Sequence, residues 1–362
     1  MPKEIITEGK AQIEVDTADI VSKDLEVFYN PDMVLNRDIS IAVLRTQFDK
    51  PICIALPLAG TGVRGVRILK EIPELVKKIE MNDASPEATK LIKENLERNG
   101  LEENETIRIS QKDACLFLED SDGFDYIDID PFGSPNQFLD TAIRKLSRKG
   151  ILAVTATDTA ALAGTYPTTC KRKYWSTSAI TPHKHEMGLR ILARKVMLLG
   201  IHHNKVLKPV LSYHYKHYYR IIFECIKSKE QAAKLLDSLQ AFVNYDKVTA
   251  DISVTKNPDE SKTWCGPLYE GELHDKEFLE KLLTNYKHKV IEKAKEELNV
   301  VGSYDTHQVS QKNDLRLVPL DDIIRKLQEK KFEASRCATN LHAVKTTASF
   351  QKLIEVMKEL NA

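Results

Sequence analysis

The first two thirds of the chain alternate short apolar runs with amphipathic stretches of helical period. Five apolar runs, at residues 52–58, 78–82, 106–110, 126–130 and 151–155, have the length and composition of buried strands. Each of the first three is followed by a turn and then by the apolar spacing of a helix. Strands and helices that alternate in this way form parallel sheets. The pattern therefore predicts an α/β fold.

One predicted helix is delimited at both ends. Ser85 can cap the free amide groups of its first turn, and Pro86 suits that turn because it has no amide hydrogen to satisfy. Asn99 and Gly100 favour a left-handed stop at the other end. Between these ends an apolar side chain recurs every four residues, so we expect one face of the helix to lie on the sheet. These apolar residues are Ala88, Ile92 and Leu96.

From about residue 228 the pattern changes to polar turns and amphipathic stretches rich in Lys and Glu. Helices are predicted over residues 229–243, 275–298, 321–331 and 349–360. We therefore expect two domains, with the parallel sheet in residues 1–227 and a smaller α/β domain in residues 228–362.

Composition places the chain among ordinary globular proteins. Of its 362 residues, 42% are hydrophobic and 29% are charged, which excludes disordered and fibrous classes. No apolar run approaches the ~20 residues that span a bilayer, and the first residues lack the apolar core of a signal peptide. We therefore expect a cytoplasmic protein with no membrane partner. The six cysteines contain no Cys-x-x-Cys pair, so neither a disulfide framework nor a structural zinc site is indicated.

Charge is unevenly distributed although 53 basic residues balance 53 acidic ones. Residues 144–220 contain 15 Lys or Arg and two acidic residues, a difference of +13, so the remainder carries −13. Basic residues next to aromatic rings suit RNA, and Lys171, Arg172 and Lys173 are the predicted phosphate contacts. A solvated loop is the alternative for them. The run from Tyr213 to Tyr219 could instead be a strand with one buried face.

A glycine-rich turn follows the first strand. Gly60, Gly62 and Gly65 form a G-x-G-x-x-G sequence that leads into a helical pattern. Such glycines let the backbone turn sharply and lie against a ligand, while the helix amides offer hydrogen bonds. A turn that only joins strand to helix is an equally good interpretation of this motif alone.

Aspartates follow the next two strands. Asp83 stands where a carboxylate can accept hydrogen bonds from ribose hydroxyls, and Asp113 with Ala114 stands where an adenine ring would fit. Helix capping is the alternative for both aspartates. Together with the glycines they favour a nucleoside ligand at the switch point of a doubly wound sheet, without deciding between NAD and S-adenosylmethionine.

The fourth strand runs directly into Asp130, Pro131 and Phe132. This sequence matches the signature of S-adenosylmethionine-dependent enzymes that methylate exocyclic or amide nitrogens. An exocyclic base amine is a poor nucleophile, because its lone pair is delocalised into the ring, until acceptors hold its protons. A carboxylate and a backbone carbonyl at a proline turn are such acceptors, and the aromatic ring can stack on the base. A chance Asp-Pro turn is the alternative.

With these motifs the chain resembles archaeal tRNA (guanine(26)-N2)-dimethyltransferases over almost its whole length. The segments that carry the resemblance are 28–31, 35–38, 59–67, 82–88, 128–135, 155–162, 166–167, 185–187, 218–220, 265–268 and 334–336. The resemblance implies a class I S-adenosylmethionine-dependent methyltransferase, with a Rossmann-like doubly wound sheet in residues 1–227. It also implies that residues 228–362 bind and position tRNA.

The resemblance assigns roles to single residues. The implied cofactor-binding residues are Arg37, Gly60, Gly62, Arg67, Asp83, Asp113 and Ala114, the two arginines being natural partners of a methionine carboxylate. Asp130 would be the catalytic carboxylate, and Phe28 and Phe132 would sandwich guanine. A surface salt bridge is the alternative for each arginine.

Two departures from the family pattern matter. Some relatives bind zinc through four cysteines in the second domain, but residues 244–269 here retain only Cys265, so we expect no metal. An Asp found before the glycine turn in many relatives is missing from residues 55–58. The alternatives are a DNA or protein amide methyltransferase, an NAD-dependent oxidoreductase and a noncatalytic RNA-binding protein. No obligate protein partner is evident.

Overall fold

The computed structural model describes residues 3–16 and 29–361, which pack as two compact units. The first contains the described residues up to Thr157, together with Ile222–Lys227 and Thr284–Tyr286. The second contains Asp158–Ile221, Ser228–Leu283 and the residues from Lys287 onward. The boundaries of these compact units do not coincide with the single functional boundary predicted after residue 227. That functional boundary stays a prediction.

The first unit holds most of the central sheet. Its elements are β1 (Lys3–Glu8), β2 (Ala11–Asp16), α1 (Val34–Gln47), β3 (Ile52–Leu56), α2 (Val63–Glu71), β4 (Val76–Asn82), α3 (Pro86–Arg98), β5 (Ile107–Ser110), α4 (Ala114–Glu119), β6 (Phe124–Ile129), α5 (Asn136–Lys145) and β7 (Leu146–Ala156).

The chain after Thr157 is richer in helices. Its elements are α6 (Thr159–Leu162), α7 (Pro167–Tyr174), α8 (Lys184–His202), β8 (Lys205–Tyr215), β9 (Tyr218–Lys227), α9 (Lys229–Leu235), β10 (Ala241–Tyr245), β11 (Ile252–Thr255), β12 (Thr263–Leu268), α10 (Lys276–Asn285), α11 (Lys289–Glu296), β13 (Tyr304–Asp305), α12 (Thr306–Lys312), α13 (Leu320–Glu329), β14 (Ala334–Arg336), β15 (Ala343–Thr346) and α14 (Phe350–Glu359).

The central sheet has the strand order β5-β4-β3-β6-β7-β9-β8. The first five strands in this order are parallel, which confirms the predicted parallel sheet. From β3 the chain proceeds through β4 to β5 at one edge, then returns to β6 and β7 on the other side. The order therefore reverses between β3 and β6, and the carboxyl ends of these two strands flank the place where ligands bind in such sheets.

The predicted helix between Ser85 and Gly100 is confirmed as α3. The Ser85 hydroxyl accepts a hydrogen bond from the Ala88 amide at 3.1 Å, and Gly100 is left-handed with a φ of 69°. The face formed by Ala88, Ile92 and Leu96 is buried. Local capping and apolar spacing thus define this helix in both sequence and structure.

The hairpin of β1 and β2 is not among the predicted strands, although β2 alternates apolar and polar residues and its Ala11, Ile13 and Val15 are buried. It is fastened to α3 by side-chain amides. Asn95 Oδ1 accepts the Glu14 amide at 2.7 Å, and Asn99 Oδ1 accepts the Gln12 amide at 2.9 Å. These bonds join segments more than 80 residues apart in the chain.

Two helix predictions for the second part of the chain are wrong in extent. The predicted helix at 229–243 ends early, since α9 and a 3-10 turn (Leu236–Leu239) are followed by β10. Val243 is fully buried between β11 and β12, where it opposes Val254 and Cys265. The predicted helix at 275–298 is two helices, α10 and α11. The predictions at 321–331 and 349–360 correspond to α13 and α14.

Candidate active site

The glycine turn between β3 and α2 uses each glycine differently. Gly60 and Gly62 are left-handed, with φ of 52° and 77°, a conformation that other residues rarely adopt. A side chain on Gly65 would place its Cβ 2.2 Å from Met81 Sδ, so glycine lets α2 lie close to β4. The motif therefore makes the sharp turn that the sequence predicts, and its third glycine adds close helix packing.

Asp83 lies at the carboxyl end of β4 and holds this turn. Its Oδ2 accepts the Gly60 amide at 2.9 Å, and its Oδ1 accepts the Ser85 amide at 3.1 Å. Each carboxylate oxygen has more than one lone pair, so both oxygens retain capacity for further donors. The predicted ribose contact is compatible with this geometry and stays a prediction.

Asn82, which the sequence analysis did not single out, joins three strand ends. It is fully buried, and its Nδ2 donates to the carbonyls of Pro57 at 3.0 Å and Lys112 at 2.9 Å. Its Oδ1 accepts from the Ser110 hydroxyl and the Lys112 amide. The ends of β3, β4 and β5 are thus fixed to one another by one side chain.

Asp113 caps α4. Its Oδ1 accepts the amides of Cys115 at 2.9 Å and Leu116 at 3.2 Å, so the capping interpretation holds for this oxygen. Oδ2 accepts no hydrogen bond from the described residues, and the neighbouring Ala114 is buried. The adenine contact assigned to this pair stays a prediction.

Asp130 opens a rigid turn at the carboxyl end of β6. Gly133 is left-handed with a φ of 79°, and its amide donates to Thr157 Oγ1 at 2.6 Å. The Thr157 amide in turn donates to the Gly133 carbonyl at 2.9 Å. Pro131 is buried, whereas the Phe132 side chain is 57% exposed. The turn is therefore pinned to the end of β7 and presents an aromatic ring to solvent.

Arg64, in the first turn of α2, contacts this carboxylate directly. Its Nη2 donates to Asp130 Oδ2 at 2.6 Å, and its Nη1 lies 3.2 Å from Asp128 Oδ2. Asp128 lies in β6 and Asp130 directly follows its last residue, so the two side chains, two positions apart, lie on the same side and both reach Arg64. One planar guanidinium therefore joins the glycine turn to both carboxylates. Within the described residues, Asp130 Oδ1 accepts no hydrogen bond.

Polar side chains of α1 complete the surroundings of Arg64. Asn36 Oδ1 accepts from Arg64 Nη2 at 2.9 Å, and Ser40 Oγ accepts from Arg64 Nη1 at 2.7 Å. Tyr126 donates its hydroxyl to Asp128 Oδ2 at 2.6 Å. Arg64, Asn36, Ser40 and Asp128 are all buried, so this network is held rigidly and away from water.

The two arginines predicted to bind the cofactor meet at Glu8. Arg37 holds both Glu8 oxygens at 2.6 Å, and Arg67 Nη1 reaches Glu8 Oε1 at 2.9 Å. Arg67 also pairs with Asp38 at 2.7 Å and Glu71 at 2.8 Å. All three nitrogens of Arg67 are engaged, so direct contact with a cofactor would require it to exchange a partner. Arg37 Nη1 has no partner among the described residues.

The charges of this cluster stabilise one another. Burial alone would raise the pKa of Glu8, but the hydrogen bonds and charge of Arg37, with Arg67 and Tyr29, lower it. Burial would lower the pKa of Arg67, but Glu71, Glu8 and Asp38 raise it. Tyr29 donates to Glu8 at 2.8 Å, and burial together with the Glu8 charge raises the pKa of Tyr29 to about 12.

The predicted substrate residues fall in different places. Phe28 lies outside the described residues. Lys171 and Arg172, on α7 in the second unit, are exposed and form no ion pair with a described residue. Lys173 is half-buried and lies 3.4 Å from Asp158, which also accepts the Tyr174 hydroxyl at 2.6 Å. Lys173 is therefore less accessible to phosphate than Lys171 and Arg172.

The basic segment 144–220 is less basic at the surface than in sequence. Five of its cations are buried: Arg190, Arg194, Lys195, Lys205 and Arg220. Tyr218 and Tyr219 are also buried, in β9. The tyrosine run is therefore a hairpin and not a single strand with one buried face, because β8 ends at Tyr215 and β9 begins at Tyr218.

Within the described part of the chain, no three His, Cys, Asp or Glu side chains are arranged to hold a metal ion. No described helix is long and apolar enough to cross a membrane.

A model of the family described as N2,N2-dimethylguanosine tRNA methyltransferase matches residues 9–358. The chain belongs to this family. Family membership confirms the resemblance drawn from the sequence and makes the chain a tRNA-modifying methyltransferase. It does not favour an oxidoreductase, a DNA or protein amide methyltransferase or a noncatalytic RNA-binding protein.

Similar proteins cover essentially the whole chain. The tRNA (guanine(26)-N(2))-dimethyltransferase of Methanocaldococcus jannaschii is 37% identical, over 98% of both chains. The tRNA (guanine(26)-N(2)/guanine(27)-N(2))-dimethyltransferase of Aquifex aeolicus is 34% identical, over 99% of this chain and 96% of its own. The solved structure of Trm1 from Pyrococcus horikoshii with S-adenosyl-L-methionine superposes with a TM-score of 0.89, at 30% identity, over 98% of this chain and 99% of that one. These likenesses confirm the predicted class I fold.

Proposed function

We propose that this family member transfers two methyl groups from S-adenosyl-L-methionine to the exocyclic N2 of guanine 26 in tRNA, by way of N2-methylguanine. The observation that carries the proposal is the position of Asp130 at the switch point of the sheet. One of its oxygens is held by Arg64, and the other has no partner among the described residues. A cytoplasmic location is part of the proposal.

The residues around the glycine turn fit this methyl donor. The left-handed Gly60 and Gly62 bring the backbone close to a ligand, Asp83 retains acceptor capacity for ribose hydroxyls, and Asp113 Oδ2 can accept from an adenine amine. Arg37 would offer its Nη1 to the methionine carboxylate, while Arg67 would hold Glu8 and α1 in place. When bound, the donor supplies an electrophilic methyl group.

Asp130 prepares the guanine amine for attack. Its Oδ1 accepts a hydrogen bond from an N–H of the amine, and this bond favours the development of positive charge on nitrogen. The same oxygen then takes up the proton that the nitrogen loses. Arg64 occupies Oδ2, so the carboxylate cannot rotate away from the base. Once Asp130 has released this proton to solvent, the monomethylated amine still has one N–H, and the same oxygen can accept it. Asp130 therefore serves both rounds.

Aromatic rings would hold the base in the pocket. Phe132 follows the proline turn and is exposed, so its ring can stack on guanine, with Phe28 as the proposed second ring. Lys171 and Arg172, and to a lesser degree Lys173, would contact the tRNA backbone, and residues 228–362 would position the tRNA. Extrusion of a base from its stack typically costs a few kcal/mol.

Nucleoside analysis tests this function. The purified protein should convert G26 of unmodified tRNA to N2-methylguanosine and then to N2,N2-dimethylguanosine with labelled S-adenosyl-L-methionine. A transcript with A26 and no guanine at position 27 should remain unlabelled, and one with guanine only at position 27 shows whether the reaction extends to that site. Absence of methylated guanosine from the G26 transcript would refute the proposal.

Asp130→Ala tests the catalytic carboxylate. Because removal of a positioned proton acceptor typically costs about 10²–10⁴-fold in rate, kcat should fall by at least about 100-fold. The dissociation constant of S-adenosyl-L-methionine, measured by calorimetry, should stay within about threefold, since Asp130 does not belong to the cofactor residues. Asp122→Asn, an exposed carboxylate before β6, is the matched control and should keep full activity. A turnover close to that of the unsubstituted protein would remove Asp130 from the catalytic role.

A further inference from the structure

An exposed tryptophan ends helix α7. Trp175 caps this helix in the left-handed conformation, with a φ of 57°, and its amide donates to the Lys171 carbonyl at 3.1 Å. Its carbonyl accepts from Arg194 Nη1 at 3.2 Å. Glycine or asparagine ordinarily ends a helix in this way, and strained conformations of larger residues concentrate at functional sites. The indole is 50% exposed despite this firm anchoring.

A buried cation lies behind the indole ring. Lys195 Nζ, from α8, is 2.9 Å from the ring centroid, and the Lys195 side chain is almost entirely buried. Burial and the nearby Arg194 lower the pKa of Lys195 to about 8, so the amine is largely protonated at neutral pH. Because Lys195 covers one face of the ring, the exposed area belongs to the opposite face and the ring edges. The ring is held flat against its support with one face available.

The rest of α7 adds charge and a second ring. Lys171 and Arg172 are exposed and form no ion pair with a described residue, and Tyr166 at the other end of the helix is 58% exposed. Tyr166 and Trp175 are separated by the eight residues of α7, roughly 12 Å along the helix axis. Exposed rings beside unpaired cations are the combination by which proteins bind unstacked nucleotides and their phosphates.

We propose that Trp175 is a stacking platform for an unpaired nucleobase of the tRNA, with Lys171 and Arg172 contacting the phosphates that flank this nucleotide. The inference rests on the proposed function, because it takes tRNA as the ligand. Stacking on an indole accepts any base, since every base has a π face. The platform therefore contributes affinity for an unstacked nucleotide rather than recognition of its sequence.

Intrinsic fluorescence tests the stacking directly. The chain has two tryptophans, so Trp264→Phe leaves Trp175 as the only indole. Titration of this variant with unmodified tRNA should quench the remaining emission and protect it from acrylamide. The reciprocal variant, Trp175→Phe, shows how the emission of Trp264, in residues 228–362, responds to tRNA on its own. Unaltered Trp175 emission at saturating tRNA would overturn the proposal, and Trp175 would then only shield Lys195.

Affinity provides a second measurement. Trp175→Ala should weaken tRNA binding by about tenfold, and Trp175→Phe by much less, because an aromatic face is retained. The affinity for S-adenosyl-L-methionine should be unchanged in both. If Trp175→Ala proves unstable, the fluorescence titration, which keeps Trp175, decides. Tight tRNA binding by a folded Trp175→Ala variant would contradict the proposal.

Salt dependence tests the flanking cations. Lys171→Gln and Arg172→Gln should each reduce the slope of log K against log salt by about 0.7–0.9. Lys77→Gln, an exposed lysine at the amino end of β4 and outside the residues proposed to contact tRNA, is the control and should leave the slope unchanged. If Trp175 is quenched but no methylated guanosine forms, the proposed function fails while the platform stands. If methylation proceeds without quenching, only the platform fails.

Discussion

Arg64 occupies a variable position of the glycine motif, yet it forms the shortest link between that motif and Asp130. The local sequence around either residue does not predict this contact, because the two residues are 66 positions apart. One signal was present. Asp128 and Asp130 alternate on a buried strand, so two carboxylates on one side of β6 required a cation. The sequence could predict that need but could not identify the residue that met it.

Arg64→Ala should lower kcat by about 100-fold, because the Asp130 carboxylate would no longer be held in place. A displacement of a reacting group by about 1 Å usually has an effect of this size. The KM for tRNA should change little. Arg64→Lys should recover only part of the activity, because an ammonium cannot contact Asp130, Asn36 and Ser40 together. Steady-state kinetics with added guanidinium checks the role, since the free ion should partly rescue Arg64→Ala.

Arg108→Ala, an exposed arginine on β5, is the control for loss of an arginine elsewhere and should remain active. A purely structural role for Arg64 would lower the melting temperature, leave kcat intact and show no rescue by guanidinium.

At the scale of elements, the β1–β2 hairpin forms a small sheet of its own and joins two helices through one side chain. Glu8, the last residue of β1, is buried and binds Arg37 on α1 and Arg67 on α2. Three elements are therefore held by one carboxylate. The sequence predicted the two arginines as cofactor ligands from the family resemblance, but Glu8 carried no motif and its burial depends on the folded hairpin.

Glu8→Gln should destabilise the protein by about 3 kcal/mol, because it leaves the buried Arg37 without its anion and removes one of the three carboxylates that pair with Arg67. Chemical denaturation measures this loss. Glu4→Gln on the same strand removes an exposed carboxylate and should cost almost nothing. A double-mutant cycle of Glu8→Gln with Arg37→Gln should reveal coupling, and strict additivity would contradict a shared network.

Elements with local signals were the ones that the sequence predicted well. The five parallel strands and α3 were recognised from apolar runs and caps that lie within each segment. β10 was mistaken for the end of a helix because its strand character comes from pairing with β11 and β12. Pairing partners distant in sequence override local propensity, and a single sequence does not reveal them.

At the scale of the whole molecule, burial alters which charges act. Within the second unit, Glu186, Arg190, Lys345 and Glu297 form a buried ionic group. Burial would raise the pKa of Glu297, but the charge of Lys345 and the hydrogen bond and charge of His274 lower it. Several Lys and Arg side chains of residues 144–220 are thus buried and pair with interior groups. The formal charge of +13 counted along the sequence therefore exceeds the positive charge that is exposed to RNA.

His183 should make the second unit sensitive to acid. It is buried, its two ring nitrogens have no hydrogen-bond partner among the described residues, and burial lowers its pKa from 6.5 to about 4. The unfolded chain therefore binds this proton more readily, so stability is complete above pH 6.5 and falls as pH drops toward 4. The slope should be about 1.4 kcal/mol per pH unit for this histidine.

His183→Leu should remove this part of the pH dependence and leave stability at pH 7 unchanged or increased, because two unbonded nitrogens are removed from the interior. Thermal unfolding between pH 4 and 7 provides the measurement. His202→Gln, at an exposed helix end, is the control and should keep the original slope. An equally steep slope in His183→Leu would assign the acid sensitivity to other groups.

The ionic cluster around Glu8 also constrains how the sequence can change over time. Loss of Glu8 alone would leave Arg37 buried without its anion, and loss of Arg67 alone would leave Asp38 and Glu71 without their common partner. Replacement of the cluster residues one at a time therefore passes through a destabilised protein. We therefore expect substitutions at positions 8, 37 and 67 to occur together, although 59 residues separate the first from the last.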